Sequence, residues 1–92
     1  MSIFDIQDKS GIIETTGVAQ TLLEKSPKRT GFIVQNRGAS PVYLNDAGEA
    51  STKGGSFVLL PNEFFPPPRY PASNFEIRIL GTAGSEFTCR EW

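Results

Sequence analysis

From Asn74 to Leu80 apolar and polar residues alternate, with Phe75, Ile77 and Ile79 set against Asn74, Glu76 and Arg78. Successive side chains of a β-strand point to opposite faces, so a period of two predicts a strand packed on one side and wetted on the other. Gly81-Thr82-Ala83-Gly84 reads as a turn. Ser85 to Trp92 then resumes the alternation, Phe87 and Cys89 against Glu86, Thr88 and Arg90. Two such runs joined by a short turn predict an antiparallel hairpin. Trp92 falls on the polar parity, so its indole must cover a neighbouring loop or meet another chain, and local packing is the expectation.

The same pattern recurs upstream. Gly31 to Asn36 and Pro41 to Leu44 flank Arg37-Gly38-Ala39-Ser40, which predicts a second hairpin with Phe32 and Val34 facing Val42 and Leu44. Asn45-Asp46-Ala47-Gly48 supplies turn chemistry before another strand over Ser56 to Leu60. Gly11 to Thr16 and Val18 to Glu24 hold several β-branched residues and read as extended. A short helix over Ala19 to Lys25 is the competing assignment, but Gly17 and Pro27 leave little room for one. The expected fold is all-β, a single small antiparallel β-sandwich or jelly-roll-like barrel of about 6–8 strands. Residues 1–10 show neither alternation nor a helix cap, and are expected to be an N-terminal arm preceding a β-sandwich domain over 11–92. Ile3, Phe4 and Ile6 give that arm apolar side chains to bury, on this subunit or across another.

Ninety-two residues allow one domain. With 38 % hydrophobic residues the chain is too apolar to be disordered. No run reaches the roughly 20 apolar residues that span a bilayer, so no membrane partner is expected. The N-terminus shows no basic segment followed by an apolar one, and synthesis in a cytoplasm is the expectation. A net charge of −1 offers no field for nucleic acid. Lys25, Lys28 and Arg29 form a local basic cluster, which reads as a solvated turn.

Candidate chemistry is sparse. The chain contains no His, which removes the commonest general base, triad member and metal ligand. Cys89 is the sole cysteine, so an intrachain disulfide and a Cys-rich metal site are ruled out. Its place on the apolar face of a strand predicts a buried structural thiol. The acidic residues are expected to be solvated, Asn45 to Glu49 lacks the alternating ligands of a calcium loop, and Lys53-Gly54-Gly55-Ser56 lacks phosphate-loop spacing. A chain this short is also expected to enclose no pocket of several hundred cubic ångströms. The expectation is a protein that is not an enzyme, with no cofactor, no metal and no small-molecule ligand.

Phe64-Phe65-Pro66-Pro67-Pro68-Arg69-Tyr70-Pro71 is the most distinctive stretch. Consecutive prolines remove backbone donors and favour a stiff extended chain. Two roles fit: a rigid crossover whose aromatics fold over the core, or a preformed ridge presenting Phe64, Phe65, Arg69 and Tyr70 to a partner.

Four segments carry a family resemblance: Arg29-Thr30-Gly31-Phe32-Ile33-Val34-Gln35-Asn36, Pro41-Val42-Tyr43-Leu44, Gly55-Ser56-Phe57-Val58-Leu59-Leu60-Pro61 and the closing Glu91-Trp92. Over Val18 to Trp92 the chain resembles small β-sandwich virion proteins of tailed bacteriophages, in particular capsid cement or decoration proteins. The resemblance implies a homo-oligomer or lattice of copies on the capsid surface, bridging neighbouring major capsid proteins, and carries no catalytic residues with it. Other virion proteins are alternative partners, as for a tail or connector accessory domain. A carbohydrate-binding module using Tyr43, Phe65, Tyr70 or Trp92 is the reading from a different class.

Overall fold

The computed structural model describes residues 6–67, 69–71 and 73–92, and among them there are nine strands and no helix. The strands are β1 (Gln7–Asp8), β2 (Gly11–Ile12), β3 (Gln20–Leu23), β4 (Phe32–Asn36), β5 (Val42–Asn45), β6 (Phe57–Leu59), β7 (Phe64–Phe65), β8 (Ile77–Leu80) and β9 (Glu86–Glu91). One sheet runs β1-β9-β4-β7, with β2 also on β9, and the other runs β3-β8-β5-β6; every pairing is antiparallel. This is a small antiparallel β-sandwich.

The predicted parities hold in the core. Phe32, Val34, Val42, Leu44, Ile77, Ile79, Phe87 and Cys89 are all buried and form one cluster with Ile13, Leu22, Leu23, Leu59 and Phe65. The predicted hairpins do not form. β8 pairs with β3 and β5 in one sheet, whereas β9 pairs with β1, β2 and β4 in the other. β4 and β5 likewise belong to opposite sheets. Gly38 and Gly81 lie in the connections, which cross the sandwich instead of reversing within one sheet. Phe32 and Val34 do oppose Val42 and Leu44, but across the core. Phe75 departs from its strand: β8 begins only at Ile77, and the Phe75 ring is 63 % exposed.

Three buried polar side chains tie the connecting segments to the sandwich. Asn36, fully buried at the end of β4, donates from Nδ2 to the carbonyls of Ser40 (2.8 Å) and Leu59 (2.9 Å), while its Oδ1 accepts from the Gly38 amide (2.8 Å). One amide thus ties sheet to sheet where backbone pairing stops, and leaves no polar atom orphaned. Arg29 corrects the solvated-turn expectation, because its side chain is only 1 % exposed. Its guanidinium donates to Glu91 Oε1 (2.9 Å), to the carbonyls of Ser73 (2.6 Å) and Phe75 (3.0 Å), and to the carbonyl of Glu24. The fork-shaped cation has enough donors to hold three separated segments at once, a geometry Lys cannot match. Asp46 is also buried, accepting from the Tyr70 hydroxyl (2.8 Å).

At the C-terminus, the Trp92 carbonyl accepts from the amides of Thr30 (2.6 Å) and Gly31 (3.0 Å). A Cβ at Gly31 would sit 2.6 Å from the indole. The ring therefore packs on the one residue that leaves it room, as the local-packing expectation had it.

Candidate interaction surfaces

The seven residues expected to contact a partner do not form one surface. Ile3 and Phe4 lie outside the described residues, as does Pro68 of the proline stretch. Ile6 is half-exposed just ahead of β1, and β1 itself pairs with β9 through Gln7↔Glu91 and Asp8↔Arg90, so this part of the expected arm is an edge strand. Arg69 is exposed and holds a φ of 71°, a left-handed backbone that non-glycine residues rarely adopt.

Phe65 is not presented outward as a ridge residue would be. It is 3 % exposed, in register with Val34, and belongs to the core. Its ring lies 6.0 Å from Phe32, 5.0 Å from Phe57 and 5.4 Å from Tyr70, while Phe57 meets Tyr70 edge-on at 5.6 Å. The physical reason is alternation: consecutive residues of a strand face opposite ways, so burying Phe65 exposes Phe64, which is 56 % accessible. Tyr70 packs its ring on the core and anchors its hydroxyl on Asp46. That bond, then burial, then the Asp46 charge raise the Tyr70 pKa. The rigid-crossover role therefore describes Phe65 and Tyr70, and Phe64 is the aromatic left facing water.

Phe64 has company. β6 and β7 are the terminal strands of their respective sheets and are joined by the tight turn Leu60–Glu63, in which the Glu63 amide donates to the Leu60 carbonyl (3.0 Å). Both edges therefore lie on one flank, and Phe57, Val58, Leu60 and Phe64 are each about half-exposed along it. Alternation from buried Leu59 and Phe65 puts Val58 and Phe64 on the outer faces of the two sheets, with Phe57 and Leu60 at the margin between them. Ile33, on the same outward parity of β4 as Gln35, which pairs with Phe64, extends the apolar surface onto the sheet. Nothing in the alternation of β6 foretells this, since Phe57 faces the core side yet lies at the margin of the sandwich.

Cys89 has no exposure, and burial, followed by the Glu91 charge, pushes its thiol up to about 12. A thiol so disposed stays protonated and is no nucleophile at neutral pH. Asp8 and Glu49 are displaced downward, Asp8 chiefly by hydrogen bonds from Ser10 and Glu49 chiefly by the Arg78 guanidinium, so both are firmly ionised carboxylates.

A concave feature lies on the β3-β8-β5-β6 sheet. An open groove of about 660 Å³ runs between the Glu24–Lys25 segment, the loop at Glu49 and the Phe75–Glu76 segment, with Arg78 of β8 in its lining. The expectation that so small a chain encloses no such volume assumed that a cavity must come out of the core. This groove is built outside the core by loops. In comparisons with known proteins, the chain matches no family model, no curated protein and no solved structure.

Proposed function

We propose that this protein is a non-enzymatic structural component of a bacteriophage virion that binds the outside of the capsid, cements neighbouring major capsid subunits and docks through the β6–β7 flank. The observation that carries the proposal is the run of half-exposed Phe57, Val58, Leu60 and Phe64 along one edge of a rigid sandwich. Apolar side chains held out by stiff strands lose little entropy when covered, so even a small contact is productive. Repetition over a capsid lattice then turns a modest affinity per copy into a persistent coat, particularly if copies also meet one another as homo-oligomers. Phe64 is the anchor: it is the largest outward side chain on the flank, and aromatic residues dominate interface energetics.

Cryo-electron microscopy of virions encoded by the same genome tests the proposal. Density for this fold at regular capsid sites, in hundreds of copies with the β6–β7 flank inward, is the expected result. Density confined to the tail or connector, at a few copies per particle, would replace cementing with an accessory role there, and no density would end the virion reading. Phe64→Ala is expected to cut capsid occupancy at least tenfold with the fold intact; unchanged occupancy would move the contact elsewhere.

A further inference from the structure

We infer that the groove between Glu24, Glu49 and Phe75 is a binding site for a neutral glycan chain, with the Phe75 ring as its stacking platform. The inference is independent of the capsid proposal, because no residue lining the groove belongs to β6 or β7, the strands of the proposed capsid contact.

Phe75 is the most exposed large apolar side chain among the described residues. Its backbone is held on both sides by hydrogen bonds. Its carbonyl accepts from buried Arg29, its amide donates to Ser73 Oγ (3.2 Å), and neighbouring Asn74 donates from Nδ2 to the carbonyls of Ser26 (2.9 Å) and Arg29 (2.6 Å). Arg29 also donates to the Glu24 carbonyl, so a single cation sets the two walls that carry Glu24 and Phe75. The third wall is fixed by the Ala47 amide donating to Asn45 Oδ1 (2.8 Å) and by Asn45 Nδ2 donating to the Glu49 carbonyl (3.1 Å). The walls are thus positioned without help from any ligand. An aromatic ring carried on fixed backbone and left in water at the rim of a prepositioned groove has no task in the core.

The polar lining selects the ligand class. Arg78 donates to Glu49 Oε1 (2.7 Å) and to Thr21 Oγ1 (2.6 Å), and Thr21 in turn donates to Glu76 Oε2 (2.5 Å). Donors and acceptors therefore alternate along this side of the groove within a few ångströms. Sugar hydroxyls both donate and accept, so a row of them can insert beside such a network without breaking its ion pairs. The apolar C–H face of a pyranose meanwhile covers the Phe75 ring. Three carboxylates, Glu24, Glu49 and Glu76, face two cations, Lys25 and Arg78, leaving one net negative charge in the lining. That charge disfavours sulfated or uronic chains.

The test titrates cellohexaose, maltohexaose and chitohexaose separately into the ¹⁵N-labelled full chain, with a heparin-derived hexasaccharide as the anionic probe. At least one neutral hexasaccharide is expected to shift the amides of Lys25, Gly48, Phe75 and Glu76 with a Kd of roughly a millimolar, ordinary for a shallow site. Phe75→Ala should weaken that binding at least tenfold while amides remote from the groove keep their positions. The inference is overturned if none of the three neutral sugars moves those amides, if Phe75→Ala binds as the parent does, or if the heparin hexasaccharide binds the groove more tightly. Phe75→Ala should still decorate virions to the parental level, so failure here and failure of the capsid proposal are separately visible.

Discussion

Replacing Arg29 by Met removes the guanidinium that joins Glu24, Ser73, Phe75 and Glu91 while leaving an apolar stem of similar length against Phe32, whose ring centroid lies 5.9 Å from the Arg29 Cζ. Hydrogen bonds to a charged group contribute about 1.5–3 kcal/mol each, but four bonds from one side chain do not add. Removing one partner of a buried pair costs about 3–5 kcal/mol, because the other charge stays behind unpaired. Glu91 keeps 17 % of its side-chain surface and has a second cation, Lys9, at 3.7 Å, which moderates the cost. A loss of about 4 kcal/mol is expected for Arg29→Met. A chain of 92 residues has about 5–14 kcal/mol in total, so this is a large share of it. Urea denaturation followed by circular dichroism should show the midpoint falling by roughly 2–4 M at an unchanged slope. Arg29→Lys should fall in between, keeping the charge and losing the fork. Adding Glu91→Gln to Arg29→Met should recover about 1–2 kcal/mol by removing the stranded carboxylate. A change below about 1 kcal/mol for Arg29→Met, or no recovery in the double variant, would refute the idea that this cation pins the loops.

Three further outcomes are expected. Phe65→Ala should cost about 3–5 kcal/mol in the same assay, whereas Phe64→Ala should cost under about 1 kcal/mol, since only the first leaves a cavity. Gly31→Ala places a methyl group 2.6 Å from the indole and should displace Trp92, giving a red-shifted emission from the single tryptophan and a loss of about 1–3 kcal/mol. Cys89 should make stability fall in alkali: its folded pKa lies above the unfolded one, so its contribution is complete below about 9 and lost as pH rises towards about 12, a span worth at most roughly 4 kcal/mol. Cys89→Ala should flatten that alkaline limb, and the native parent should react with a thiol reagent only once denaturant is added; fast labelling of the folded protein would contradict the assignment.

Alternation made the burial of Phe32, Val34, Val42, Leu44, Ile77, Ile79, Phe87 and Cys89 legible, because which way a side chain points depends only on its neighbours in the strand. Pairing was not legible. Whether β4 continues into its own sheet or crosses to the other depends on contacts dozens of residues away, and the loops at Gly38 and Gly81 suit either course. Phe75 misled for a related reason: its parity is that of Ile77, but Arg29 and Asn74 claim the backbone there and keep β8 from starting earlier. Arg29 itself was invisible as a core residue, since a cation beside Lys28 carries no sign of the carbonyls that will surround it. At the candidate surfaces, Phe64 and Phe65 could not be told apart as outward and inward without knowing that β7 pairs with β4. The groove was unreadable because its walls come from three distant segments.

The sheet order also dictates when the molecule can exist. β9 pairs with β1, β2 and β4, and β5–β6 is the sole sequence-adjacent strand pair among the described residues. The β3-β8-β5-β6 sheet needs nothing beyond Leu80, but the other sheet cannot close until residues 86–91 are available, and β1, β2 and β4 keep unpaired edges until then. Such long-range closure predicts folding in milliseconds to seconds instead of microseconds.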